Sequence, residues 1–300
     1  MDQISLAAEV TGIDTALDRP SRIQSFWKPF VQSRMGPIGL ALLIFVALCA
    51  IFAGVIAPDG PFKLGAPKLL APGSDGHLLG TDHLGRDILA QLVYGARVSL
   101  MIGFVAAGIS LIVGVIIGSI AGYYGGWVDI VLSRMTDMFL IIPAFFLIIV
   151  VVATLGSGII YVMIVIGLTA WPTSARLMRA QVLSLRERTF IQGLKALGES
   201  DSRILLRHII PNGIQPLIAN ASLDIASAIL IESGLSFIGL GDPNKATWGR
   251  MIFDGRTTIL TAWWTSVLPG IAIIITVLGF YLVGDGIAYV LNPRSRKVTA

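Results

Sequence analysis

Five ionisable side chains, Arg134, Asp137, Asp224, Glu232 and Asp285, stand inside stretches that are otherwise apolar. Charge in a hydrocarbon environment is costly, so such groups mark a proton relay, a polar path or a buried ion pair. Arg134 and Asp137 are three residues apart and can meet on one helix face. Pairing with each other or with a neighbouring helix is the favoured reading for them, ahead of contact with a solute. Asp137, Asp224 and Glu232 are the candidates for lining a path through the bilayer. Glu232 leads, because the small residues Ala226, Ser227, Ala228 and Ser233 surround it.

Other chemistries lack their residues. ATP hydrolysis by a P-loop needs GxxxxGK[ST], and no GK dipeptide occurs in the chain. His77, His83 and His208 are scattered and form no HExxH pair, which argues against a protein-bound zinc. There is no GxSxG elbow for a serine nucleophile. Cys49 is the single cysteine, so one chain has neither a disulfide framework nor a cysteine metal site.

The elements that must position the acids follow from composition. Of 300 residues 55% are apolar and only 13% charged, with a mean hydropathy of +0.81, far from the roughly one-quarter charged content of globular chains. The fold class is therefore all-α integral membrane. A bilayer core about 30 Å thick needs roughly 20 apolar residues per crossing. Runs near 36–57, 98–122, 130–155, 158–175, 214–236 and 267–290 make six crossings. Residues 36–292 thus form the membrane domain, between a polar tail 1–35, which lacks the apolar core of a signal peptide, and a second tail 293–300. Basic residues concentrate in both tails and in 176–213, which places both termini in the cytoplasm. The net charge of +4 is spread over loops and forms no block suited to nucleic acid.

Two outer segments remain. Residues 58–97 end in TDHLGRDILAQLVYGARVSL, where Leu84, Ile88, Leu89 and Leu92 predict an amphipathic helix at the outer interface. Residues 237–265 suit an interfacial or re-entrant excursion, with Trp248, Trp263 and Trp264 as headgroup anchors or as ordinary packing. Ser110, Gly114, Gly118 and Gly122 form a stripe of small residues that lets two helices approach closely.

The cytoplasmic loop 176–213 reads like a piece of a soluble protein. Thr189 and Gln192 have capping-box spacing, Gly198 can close the helix, Ser200 can cap a second one, and Pro211 limits it. Phe190, Leu194 and Leu197 fall on one stripe. A two-turn helix is marginal alone, so the stripe needs something to pack against: the chain's own crossings, or a groove in another protein.

The segment LKALGESDSRILLRHIIPN resembles the cytoplasmic signature of permease subunits in binding-protein-dependent ABC importers. Gly198 and Pro211 match, while Gln192 stands where the family has Glu or Arg, and Gly193 and Leu194 where it usually has two alanines. HLLGTDHLGRDILAQLVYGARVSL and ESGLSFIGLG look like the second permease of the dipeptide, oligopeptide and nickel group, and the resemblance covers residues 34–297. It implies that Thr189, Phe190, Gln192, Gly193, Leu194, Lys195, Ala196, Leu197, Gly198, Glu199, Asp201 and Pro211 couple the chain to an ATPase. It further implies a second related permease, two ATPase subunits, an extracytoplasmic solute-binding protein and the bacterial inner membrane. ATP and Mg would belong to the ATPases, with no cofactor in this chain. A proton-driven secondary transporter using Asp137, Glu232 and Asp285 is the alternative, and an assembly or sensory subunit a weaker one.

Overall fold

A computed structural model describes residues 22–291, which are mostly helical, with no strand among them beyond two isolated bridges, Ser74 with His77 and Thr81 with Asp87. The expected tails 1–35 and 293–300 lie largely outside the described residues. Where the first tail is described it is a helix, α1 (Arg22–Gln32).

The apolar runs become helices, the first four with bounds that differ from those expected. The first run becomes α2 (Met35–Ile51), which breaks at Phe52 before the short α3 (Ala53–Ile56). The second is α4 (Ile88–Tyr124), 37 residues long. The third is split into α5 (Gly126–Ile141) and α6 (Ala144–Leu155), bent by 80° at Ile142 and Pro143. Proline disfavours helical geometry at the residue before it, and Ile142 is accordingly extended (ψ 122°). The fourth, α7 (Ile159–Arg186), runs well past the predicted end, while α11 (Gln215–Phe237) and α13 (Trp264–Leu291) match the fifth and sixth. Four helices are long and apolar enough to cross a membrane, five with the bent pair, and α2 is a shorter apolar helix.

The separate amphipathic helix expected at the outer interface does not form. Residues 57–87 are turns and irregular chain, and from Ile88 the backbone belongs to α4 without a break. Asp87 starts that helix by accepting from the Ala90 amide at 2.8 Å. The polar residues that suggested a surface helix have remote partners. Gln91 donates to Asp82 at 3.0 Å, and Arg97 donates to the carbonyls of Ala50 and Ile51. The tryptophans divide likewise. Trp248 and Trp264 are buried and donate to the carbonyls of Leu92 and Thr81, both at 3.1 Å, whereas Trp263 is exposed.

The small-residue stripe on α4 faces α7. A Cβ on Gly114 would sit 2.5 Å from that of Ser174, and one on Gly118 would press on the Ala175 carbonyl and lie 2.9 Å from Met178 Cβ. This allows the close backbone approach by which helices pack in lipid. Gly118→Leu is expected to destabilise the bundle by about 1–3 kcal/mol or more through overpacking. Gly108→Ala, on the same helix with nothing within 4 Å of the added carbon, should be neutral or slightly stabilising. Thermal unfolding in detergent compares the two.

Candidate functional site

Three sites share one scaffold, and α4 joins two of them. At one end lies the loop after α7. There α8 (Thr189–Ala196) closes at Gly198, whose φ of +80° is the left-handed bend expected from the sequence. The Gly198 amide donates to the Lys195 carbonyl at 3.0 Å and the Glu199 amide to that of Leu194 at 3.1 Å, sealing the helix end.

The capping box of Thr189 and Gln192 is absent. Arg188 is the N-cap residue and Thr189 is already helical, so its hydroxyl is not placed to cap. Gln192 Nε2 instead donates to the Arg186 carbonyl at 3.0 Å and caps the end of α7. The single stripe of Phe190, Leu194 and Leu197 is also corrected. Ile191 is fully buried among Tyr123, Met178, Val182, Ile204, Ile209 and Leu217, with Leu194 packed against them. Phe190 and Leu197 point outward, 49% and 85% exposed, with the exposed Gly193 between them. Sequence spacing alone does not tell which of two adjacent apolar rows faces the protein.

Beyond the bend Ser200 takes the N-cap conformation without a side-chain bond, and α9 (Asp201–Arg203) leads into a π-helical turn, Ile204–Ile209, and then α10 (Ile210–Gly213). Pro211 does not stop the helical path as expected. The wider turn lets the Ile210 amide reach the Leu205 carbonyl, five residues back, just before the proline, which has no amide to continue the ladder. Lys195 Nζ lies 5.2 Å from the Tyr123 ring centre, Tyr123 donates to Asp201 at 2.6 Å, and Arg203 pairs with Glu199 at 2.7 Å. Ala196 is exposed.

The three acids of the expected path are not brought together. Asp137 pairs with Arg176 of α7 at 2.6 Å, so a neighbouring helix, not Arg134, supplies its partner. This pair lines a cleft of about 340 Å³ between α4, α5 and α7, together with Ser133, Thr136 and Arg179. Arg179 grips Asp129 with two bonds of 2.5 and 2.6 Å, a pair that the sequence reading did not single out. Asp224 accepts from Ser174 at 3.4 Å and Asn220 at 3.2 Å. Glu232 is buried, its Oε1 accepting from Ser236 at 2.6 Å.

At the far end of α4 the LGTDHLGRD stretch builds a platform. Thr81 accepts from the Leu70 amide at 2.9 Å and donates to the Pro67 carbonyl at 2.7 Å. Asp82 accepts from the amides of Leu84 and Arg86 and from Arg86 Nε at 2.6 Å. Arg86 reaches on to Asp254 of α12 (Trp248–Gly255) at 3.0 Å, and Arg250 holds the other Asp254 oxygen at 3.0 Å. His77 Nδ1 lies 2.6 Å from Asp87. The motif thus ties the loop before α4 to the helix before α13.

Residues 114–297 match the model of the binding-protein-dependent transport system inner membrane component, and residues 21–72 that of the N-terminal transmembrane domain of oligopeptide transport permease C. The dipeptide transport system permease protein DppC of Alkalihalophilus pseudofirmus is 39% identical, over 90% of this chain and 90% of its own. The oligopeptide transport system permease protein OppC of Bacillus subtilis is 35% identical over 91% of each. Among solved structures, an inward-facing form of the MetNI methionine ABC transporter matches 65% of this chain and 93% of that one, with a TM-score of 0.53 at 17% identity, a likeness of fold. On the family match over most of its length, with apolar helices to span a bilayer, the chain belongs to the binding-protein-dependent transport system inner membrane components and is an integral membrane permease.

Proposed function

We propose that this permease is half of the translocation path of an ATP-driven importer for di- or oligopeptides or a similarly small solute. The relatives named above as dipeptide and oligopeptide permeases support this substrate class. In this reading α2 and the bent pair complete six crossings within 36–292, both termini are cytoplasmic, and the membrane is the bacterial inner one. The partners are a second related permease, two ATPases that carry ATP and Mg, and an extracytoplasmic binding protein that docks on 58–97 and 237–265.

One observation carries the coupling role: α8 is fixed on its inner side by Ile191 and open on its outer side at Phe190, Gly193 and Leu197. An exposed apolar row on a short helix with a buried back is suited to a helix-in-groove contact. Thr189, Gln192, Lys195, Ala196, Gly198, Glu199, Asp201 and Pro211 would shape and border that contact. Closure of the ATPases then moves α8 and reorients the crossings about a central site. Asp137, Asp224 and Glu232 are retained as candidates for the path.

The test is reconstitution of the complex with its binding protein in vesicles, with uptake of labelled dialanine and a mixed dipeptide and tripeptide pool. Uptake is expected only when ATP reaches the ATPases. Uptake by this chain alone under a pH gradient would replace the reading with the proton-coupled transporter.

A further inference from the structure

Tyr123 closes α4, and both limbs of the Gly198 bend converge on its ring. Lys195, from the limb before the glycine, stacks its ammonium 5.2 Å from the ring centre. Asp201, from the limb after it, accepts the phenolic hydrogen at 2.6 Å. Tyr123 is 7% exposed and sits in the cluster that holds Ile191 and Ile204, one residue from each limb. Arg186, at the end of α7, donates to the Gly122 carbonyl at 3.1 Å, and Gln192 donates to the Arg186 carbonyl. The last turn of α4, the last turn of α7 and α8 are thereby linked side by side.

The other end of α4 is equally fixed. Asp87 caps it, and Gln91 in its first turns donates to Asp82, which Arg86 connects to Asp254. No proline interrupts the 37 residues between. At 1.5 Å per residue the helix is about 55 Å long, so one unbroken rod joins the platform to the coupling bend.

We propose that Tyr123 is a positioning residue that locks the coupling bend to α4, so that displacement of the bend by the ATPase is delivered through α4 to the platform. This rests on the coupling reading above. A ring that merely filled space would be replaceable by phenylalanine. The proposal assigns the function to the hydroxyl, which donates to Asp201 on the far limb. Spatial linkage alone does not establish energetic coupling, so the test is a double-mutant cycle on the whole complex with its binding protein, in vesicles.

Tyr123→Phe is expected to keep the ATPase subunits bound and basal hydrolysis within about twofold, while labelled dialanine or pooled peptide taken up per ATP hydrolysed falls at least about fivefold. Asp201→Asn, which retains an acceptor oxygen, should stay near the unmodified complex. Asp201→Ala, which also alters the border of the ATPase contact, should lower uptake per ATP hydrolysed as Tyr123→Phe does, and in that ratio the double variant should fall no further than either. An unchanged transport ratio in Tyr123→Phe, additive losses in the double variant, or loss of subunit assembly would each overturn the proposal, the last by making the contact purely structural. Failure of the coupling reading itself looks different: no ATPase would be recovered with the unmodified chain.

Discussion

Arg86→Met destabilises the purified permease by about 3–5 kcal/mol, the largest single-residue effect expected outside the helix interfaces. The arginine side chain is 10% exposed and bridges Asp82, 5% exposed, and Asp254, 13% exposed. Methionine fills similar volume but leaves two carboxylates in a dry environment without their shared cation. Asp82 keeps the amides of Leu84 and Arg86 and the Gln91 side chain, and Asp254 keeps Arg250. Local loosening of the platform is therefore expected before global unfolding. Detergent-phase thermal unfolding and hydrogen exchange at 80–92 and 248–255 measure both. Neutralising the acids in the same chain, Asp82→Asn with Asp254→Asn, should restore much of the loss. Lys63→Ala breaks an ion pair with Asp59 whose side chains are 61% and 63% exposed, and should shift stability by less than about 1 kcal/mol.

The comparison of these two pairs shows what the sequence could reveal. Apolar runs announce crossings because backbone polar groups must be satisfied inside the bilayer, and α11 and α13 fall where their runs predict. Gly198 is legible because few residues adopt a positive φ at a helix end. Partners distant along the chain are not legible. Residues 88–97 look like a surface helix because Gln91 and Arg97 are polar, and only the folded chain places Asp82 and the carbonyls of Ala50 and Ile51 beside them. Asp137 has a suitable arginine three residues away, yet the bundle supplies Arg176 from α7. The capping box fails for a local reason, since a helix starting one residue earlier turns Thr189 from a cap into a helical position. Pro211 is absorbed by a π turn that its spacing does not encode. LGTDHLGRD is visible as a motif, but its work in joining α4 to α12 depends on Asp254, 168 residues beyond Arg86.

The paired truncation Phe190→Ala with Leu197→Ala should detach the ATPase subunits from an otherwise folded membrane complex. Burying each of these side chains in a partner groove is worth about 1.5–3 kcal/mol, discounted for Phe190, which is already half covered. Loss of both corresponds to about 3–4 kcal/mol, or a weakening of affinity by at least 100-fold. Alanine favours the helix, so α8 itself is not penalised. Ile191→Ala provides the contrast. Its side chain is fully buried beneath α8, so truncation should cost about 2–5 kcal/mol of bundle stability. Leu194→Asp belongs with it, because Leu194 packs against the inner cluster and its carboxylate would be buried. Co-purification of the ATPases and unfolding of the permease, measured on the same preparations, separate the two rows: the outer variants should lose the partner at unchanged stability, and the inner ones should lose stability first. If the outer pair is lost without effect on ATPase recovery or uptake, α8 is not the handle by which nucleotide moves this permease.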